Sequence, residues 1–188
     1  MPTSLRLHAF LPRSRANGPG TRAVIWAQGC SLGCPGCFNP QTHALSGGEE
    51  VAVEELFQRV ARLGPAIEGL TLSGGEPLQQ PEAITELLAR IRGETNLSVI
   101  VFTGYTWEEV TALPQAGSLL AGVDVLIAGR YVAAERVARG LRGSANKTVH
   151  LLTPRYSLAN LEAVPEAEVF VGPDGELFAS GIGPLRLG

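Results

Sequence analysis

The sequence predicts an α/β protein, built as a partial, laterally open (β/α) barrel that ends in a β-hairpin. Strand and helix signals alternate along most of the 188 residues, which indicates right-handed βαβ crossovers and a parallel sheet. Too few such units are present to close an eight-stranded barrel, so an open side is expected. With 45% hydrophobic residues the chain can build a core, and we expect a single domain over residues 1–188.

The first part of the chain is expected to lead into the earliest strand–helix unit. Residues 1–22 should form an N-terminal strand and a polar, glycine-rich loop. A buried strand follows at Ala23 to Ala27, and the loop after it holds every cysteine of the chain. The first helix is predicted from Glu49 to Leu63, because Ser46 and Glu49 make a capping box and a Gly-Pro pair stops the apolar stripe.

The next two units repeat this plan. A strand at Ile67 to Leu72 leads through a Gly-Gly-Glu loop to a helix at Pro81 to Arg92. A third strand, Leu97 to Phe102, leads to a short helix that Thr106 and Glu109 cap. The apolar stripes of these helices indicate core positions.

Two further strands and a hairpin complete the pattern. The strands are predicted at Val123 to Ile127 and at Thr148 to Leu152. The hairpin joins Val169 to Val171 with Leu177 to Ala179 through a Gly-Pro-Asp-Gly turn. It belongs to a C-terminal extension that we assign to residues 150–188.

Four loops follow the carboxyl ends of predicted strands, where parallel sheets place their sites. They carry the cysteines, Gly74 to Glu76, Thr103 to Tyr105, and Gly129 with Arg130. We therefore expect them to line one rim. The glycines would permit close approach of a ligand to the backbone, and Glu76 adds a carboxylate acceptor.

Cys30, Cys34 and Cys37 are the only cysteines in the chain. Their spacing favours an iron–sulfur cluster, and because four thiolates normally hold a 4Fe-4S cluster, one iron would be open to a small molecule. The cysteines alone leave two alternatives open. One is a Cys₃His zinc site that includes His43, and the other is a thioredoxin-like dithiol at Cys34 and Cys37.

Charge and hydropathy exclude several classes of partner. The net charge is −3 and the basic residues are scattered, so neither nucleic acid nor an anionic membrane is expected to bind. Lys147 could steer an anionic group, but the preferred interpretation is a surface charge. The N-terminus lacks the apolar run of a secretory signal, and an odd cysteine count argues against a disulfide framework. We expect a cytoplasmic protein.

The motif Cys-x₃-Cys-x₂-Cys followed by Gly-Gly-Glu-Pro resembles the radical S-adenosylmethionine (SAM) superfamily. Further segments are similar to the activating proteins of anaerobic ribonucleotide reductases. The segments that carry the resemblance are residues 17–22, 28–30, 37–40, 71–77, 103–109, 123–127 and 142–146. They extend over most of the chain.

The resemblance implies both cofactors, a 4Fe-4S cluster and SAM, and a set of residues that hold them. The implied cluster ligands are Cys30, Cys34 and Cys37. The other implied cofactor-binding residues are Gly36 and Phe38 at the adenine, Gly74, Gly75 and Glu76 at the methionine end, and Thr103 and Arg130 on the rim. One-electron reduction, by a protein such as flavodoxin or ferredoxin, would cleave SAM to methionine and a 5′-deoxyadenosyl radical. The implied partner is a glycyl-radical enzyme, such as the large subunit of an anaerobic ribonucleotide reductase, whose glycine loses a hydrogen atom to that radical.

Two features depart from that family. Ala128 stands where an acidic residue is common, and residues 149–188 extend past the usual end of the compact activases. A small-molecule radical SAM enzyme, similar to the deazapurine ring-contracting enzymes, is the second hypothesis. A non-catalytic zinc protein or electron carrier is the third.

Overall fold

A computed structural model describes residues 2–172 and 174–183. The strands are β1 (Ser4–Ser14), β2 (Arg22–Ala27), β3 (Glu49–Ala52), β4 (Gly69–Gly74), β5 (Ser98–Phe102), β6 (Val125–Ala128), β7 (Arg136–Arg139), β8 (Arg142–Ser144), β9 (Thr148–Leu151), β10 (Ala167–Val171) and β11 (Leu177–Gly181). The α-helices are α1 (Val53–Ala61), α2 (Pro81–Glu94), α3 (Trp107–Thr111), α4 (Ala116–Ala121) and α5 (Leu158–Glu162). In the described ranges, no helix has the length and apolar content needed to cross a membrane.

One seven-stranded sheet forms the centre, in the order β3-β1-β2-β4-β5-β6-β9. Its middle strands, β2, β4, β5 and β6, are parallel, as the alternating pattern predicted. The outer strands β1, β3 and β9 pair antiparallel to their neighbours. The fold is therefore a mixed α/β fold with a parallel centre.

The prediction of a further parallel unit at β9 is wrong. A parallel return needs a crossover connection, usually through a helix. Between β6 and β9 the chain instead forms the small antiparallel pair β7–β8, and β9 then runs antiparallel to β6. This reversal places the start of β9 beside the carboxyl end of β6, where Ala128 pairs with Thr148.

The first helix also starts later than predicted. Glu49–Ala52 is a strand that pairs with β1, and α1 begins only at Val53. The predicted capping box is not formed, because the residue before the helix is Ala52, in extended conformation and without a side-chain cap. Pairing with the long strand β1 and burial of Val51 override the local helix signal.

The helices α1, α2 and α4 form a layer on one face of the sheet. Leu70 and Leu72 of β4 belong to the cluster under this layer. Because side chains alternate along a strand, Thr71 and Ser73 face the opposite side. Leu141 and Leu161 partly cover that opposite face, where they form a second cluster with residues of β5 and β6. The rest of the face is available for a site.

The C-terminal hairpin is confirmed, since β10 pairs antiparallel with β11. Its turn residue Pro173 and the end of the tail from Pro184 lie outside the described residues. The predicted cap of α3 is also confirmed, because Thr106 and Glu109 form a capping box. Several short elements of three to six residues, α4, α5, β7 and β8, were not predicted, since so few residues carry little periodicity.

Candidate functional site

A cleft opens on the face away from the helix layer, at the carboxyl ends of β2, β4 and β5. It brings together most of the predicted site residues, namely Cys30, Cys34, Cys37, Phe38, Gly74, Gly75, Glu76 and Thr103. Two predicted residues, Gly36 and Arg130, do not line it. The rim loops of three strands therefore meet at one place, as their positions after parallel strands require.

Main-chain hydrogen bonds join the two ends of the cysteine loop to each other. The N–H of Gly29 donates to the carbonyl of Thr42 at 2.8 Å, and that of Cys30 donates to the carbonyl of His43 at 3.1 Å. These bonds close the loop at its base. All three cysteines are free thiols of intermediate exposure.

A tight turn relates the second and third cysteines. The N–H of Cys37 donates to the carbonyl of Cys34 at 3.2 Å. Gly36, inside this turn, has a φ of +70°, a conformation that side chains disfavour. Its absent side chain also makes room for Ala133, whose Cβ would lie 3.2 Å from an added Cβ. Gly36 thus shapes the turn.

The cysteines suit a cluster better than a single metal ion. Among the residues that the structure describes, no three His, Cys, Asp or Glu side chains converge closely enough to hold one ion. A Cys₃His zinc site needs such convergence. In a 4Fe-4S cluster each thiolate binds a different iron, so the ligands surround a larger group. Burial raises the pKa of the Cys30 thiol, which must lose its proton to bind iron.

Gly74 and Gly75 make room for the protein's own backbone. A Cβ on Gly74 would lie 2.3 Å from the nitrogen of Ala27, and one on Gly75 would lie 2.3 Å from the carbonyl oxygen of Gly29. The N–H of Gly75 donates to the carbonyl of Ala27, and that of Glu76 donates to the carbonyl of Gly29, both at 2.9 Å. The two glycines therefore dock the end of β4 against the base of the cysteine loop.

The Glu76 carboxylate is fully buried and joins two rim loops. Its Oε1 accepts the hydroxyl of Thr103 at 2.8 Å and the N–H of Leu78 at 3.0 Å. Its Oε2 accepts the N–H of Gly104 at 2.7 Å. Burial raises the pKa of this carboxyl, while the hydrogen bonds and the charge of Lys147 oppose the rise. Because a carboxylate offers about four acceptor positions, these three bonds leave one of them unused.

The Glu76→Gln substitution is expected to lower the free energy of unfolding by about 1–3 kcal/mol. An amide nitrogen cannot accept a hydrogen bond, so either the N–H of Leu78 or that of Gly104 faces a donor in the variant. Denaturant unfolding of the metal-free protein measures the change. Glu82→Gln, at an exposed position in the first turn of α2, is the matched control. Equal stabilities of the two variants would contradict a structural role for the Glu76 carboxylate.

Phe38 forms one wall of the cleft. Its ring meets that of Tyr131 edge-on, with 5.1 Å between the ring centroids. Gly143 lies beneath the ring, since a Cβ there would be 2.9 Å from Phe38 Cε1. Phe38 is 38% exposed, so part of the ring is free to stack on a flat ligand.

Arg130 lies outside the cleft lining and contacts its edge at Gly104. Its guanidinium forms a bidentate pair with Glu109, at 2.7 and 2.9 Å, and donates to the carbonyl of Gly104. Ala128 is buried and packs in the cluster under the helices, so this position does not contribute to the cleft lining.

Lys147 lies in the cleft lining, although the sequence favoured a surface charge over one that steers an anionic group. Its Nζ donates to the carbonyl of Gly129 and, at 3.4 Å, to that of Thr103. The missing signal was strand direction: only an antiparallel β9 places its first residues at the rim. Lys147 precedes that strand directly.

The C-terminal hairpin forms another part of the cleft wall. Phe178 of β11 meets Trp26 of β2 edge-on at 6.4 Å between ring centroids. Asn17 Nδ2 donates to the Ser180 hydroxyl at 2.6 Å. Glu168 accepts the hydroxyl of Ser14 at 3.0 Å, so the two hairpin strands are anchored to the last residue of β1 and to the loop that follows it.

The profile of the 4Fe-4S single cluster domain family matches residues 16–150, which include all of the cysteines. The chain belongs to this family. A protein of Vibrio cholerae named anaerobic ribonucleoside-triphosphate reductase-activating protein is 35% identical over 157 residues, covering 79% of this chain and 99% of that protein. The Escherichia coli protein of the same name is 31% identical over 155 residues, with the same coverage of both. The resemblance to these activating proteins is thereby confirmed.

A second kind of activating protein is also similar. The pyruvate formate-lyase-activating enzyme of Clostridium pasteurianum is 36% identical over 112 residues, which cover 56% of this chain and 47% of that enzyme. The segment with α5 and the C-terminal hairpin lies beyond the region that the family profile matches.

Proposed function

We propose that this protein is a radical SAM activase that generates a glycyl radical on an anaerobic ribonucleotide reductase or a related glycyl-radical enzyme. One observation carries the proposal: the three free cysteines meet the Gly-Gly-Glu loop in a single cleft of a chain whose relatives are activating proteins. The names of these relatives support a glycyl-radical enzyme as the partner rather than a small-molecule substrate.

Each part of the cleft has a role in this proposal. The three cysteines would hold a 4Fe-4S cluster, which, once an external donor has reduced it by one electron, would supply the electron that breaks a carbon–sulfur bond of SAM. The free acceptor position of Glu76, beside Gly74 and Gly75, receives the ammonium of the methionine end. The exposed part of the Phe38 ring and the nearby turn at Gly36 contact the adenine. Thr103 and Arg130 act indirectly, because Thr103 orients Glu76 and Arg130 ties the Gly104 carbonyl to Glu109.

The architecture supports a partial barrel that is open on one side. In the described ranges the sheet ends at two separate edges, β3 and β9. The layer of α1, α2 and α4 covers one face, which would be the outside of the barrel, and the opposite face would be its inside. The cleft occupies the inner face, so a loop of a partner protein would reach it through the open side. The single domain of residues 1–188 is part of the same proposal.

The proposed chemistry also implies an electron donor, a cellular compartment and a class of partner. An external one-electron reductant, such as flavodoxin or ferredoxin, is required because neither of the proposed cofactors, the 4Fe-4S cluster and SAM, is itself a source of electrons. A reducing cytoplasm suits three unpaired thiols. The acidic balance, a net charge of −3, favours protein partners over nucleic acid or membrane.

Release of 5′-deoxyadenosine tests the proposal. The protein is reconstituted anaerobically with iron and sulfide, and then mixed with SAM and dithionite. We expect 5′-deoxyadenosine and methionine in equal amounts, with neither formed when dithionite is omitted. A reconstituted 4Fe-4S protein whose spectrum does not change with SAM and which releases no 5′-deoxyadenosine would favour an electron carrier instead.

A further inference from the structure

Lys147 is a cation held in the cleft by neutral groups. Both hydrogen-bond acceptors of its Nζ are main-chain carbonyl oxygens, those of Thr103 and Gly129. These carbonyls lie at the ends of β5 and β6. In the described part of the chain the ammonium thus has carbonyl partners but no carboxylate in hydrogen-bond contact, and its positive charge acts on the cleft.

The cysteines lie within electrostatic reach of this charge. Burial lowers the pKa of the Lys147 ammonium, and the negative charges of Glu76, Cys34 and Cys37 oppose that decrease. Lys147, Cys34 and Cys37 also line the same cleft. A cation at this place stabilises negative charge on whatever group the thiolates hold, and it does so more strongly than in water because the site is partly buried.

Arg130 does not perform the same task. Its guanidinium is neutralised by the bidentate pair with Glu109, and it lies outside the cleft lining. Solvent around a more exposed pair screens its field further. Of these two cations near the rim, Lys147 is the one with no carboxylate in hydrogen-bond contact among the described residues, and the negative charges that act on it, Glu76 and the cysteines, all line the cleft.

We propose that Lys147 is a positioning residue whose ammonium favours one-electron reduction of the cluster in this cleft. The inference rests on the proposed function. The external reductant loses one electron and the 4Fe-4S core gains it, passing from charge 2+ to 1+, with no bond formed or broken. Since the net charge of a cluster and its surroundings set its reduction potential, a nearby cation makes the reduction easier.

The midpoint potential of the reconstituted protein, measured without SAM by EPR-monitored titration, tests this inference. Lys147→Gln is expected to make reduction about tenfold less favourable, which corresponds to a decrease of about 59 mV for one electron. Lys147→Arg, which keeps the charge, is expected to retain most of the wild-type potential. Arg139→Gln removes an exposed cation that pairs with Glu162 and is the control for the loss of one positive charge.

Two comparisons show whether a variant has lost its fold or its cluster. Iron and sulfide per chain and the circular dichroism spectrum are compared before the titration. Lys147→Met provides a second uncharged variant that keeps the length of the side chain. A merely structural role of the hydrogen bonds to the carbonyls would leave the potential of any cluster-containing variant unchanged.

Lys147 can face two anionic groups, the cluster and the carboxylate of SAM. The SAM affinity of the same variants shows on which of the two the ammonium acts. A lower potential in the absence of SAM supports action on the cluster. An unchanged potential, with or without weaker SAM binding, overturns the inference, and weaker binding would assign the ammonium to the SAM carboxylate. Should the wild type take up no 4Fe-4S cluster, the proposed function itself fails.

Discussion

The Cys34→Ala variant is expected to lose SAM cleavage by more than about 100-fold, since even changes to residues that only support metal ligands cost 10–100-fold. Cys34 is the middle thiol of the loop, and its carbonyl also accepts the N–H of Cys37 in the tight turn. Alanine keeps that backbone bond and removes only the sulfur. The release of 5′-deoxyadenosine and the iron content per chain measure the effect.

Ser46→Ala is the matched control for this variant. Ser46 is exposed and lies past the cysteines, near the end of the same connection between β2 and β3. We expect it to retain wild-type iron content and cleavage. If Cys34→Ala kept both as well, the cysteine loop would not be the cluster site.

The Arg22→Met variant is expected to lose about 3 kcal/mol or more of the free energy of unfolding, because each buried acceptor left unpaired costs about 1–3 kcal/mol. Arg22 is fully buried at the start of β2. Its guanidinium donates to the Thr71 hydroxyl at 2.8 Å, to the Leu70 carbonyl at 2.8 Å and to the Ser98 hydroxyl at 2.9 Å. It thus joins β2 to β4 and β5 at the end of the sheet away from the cysteine loop.

Denaturant unfolding of the metal-free protein under reducing conditions measures this loss. Arg62→Met, at an exposed position after α1, is the control and is expected to change stability by no more than about 0.5 kcal/mol. Similar midpoints for the two variants would show that the buried network around Arg22 contributes little. The same residues should line the cleft in Arg22→Met, since Arg22 itself is not one of them.

The features that sequence alone predicted well depend on residues that are close together in the sequence. The cap at Thr106 is a local pattern, and parallel strands bring the loops after them to one edge. The helix at Pro81–Glu94 has a full apolar stripe, which makes its assignment direct.

The features that sequence did not predict depend on long-range pairing. Glu49–Ala52 becomes a strand only because β1 offers it an edge, and Lys147 reaches the cleft only because β9 runs antiparallel to β6. The glycines of the Gly-Gly-Glu loop were expected to admit a ligand. Their neighbours in space are the backbones of Ala27 and Gly29, which no local pattern indicates.

Ala128 illustrates the same limit. An acidic residue is common at this position in the family, whereas Ala128 packs under the helix layer and does not line the cleft. The face to which a strand residue points at the end of a sheet depends on the register with its neighbours.

The most direct test of the central claim is an EPR measurement on a mixture of the reconstituted protein, SAM, a reductant and an anaerobic ribonucleotide reductase. We predict a glycyl radical signal on the reductase that requires SAM and disappears with Cys34→Ala. SAM cleavage without any glycyl radical on that partner or on a related glycyl-radical enzyme would contradict the account.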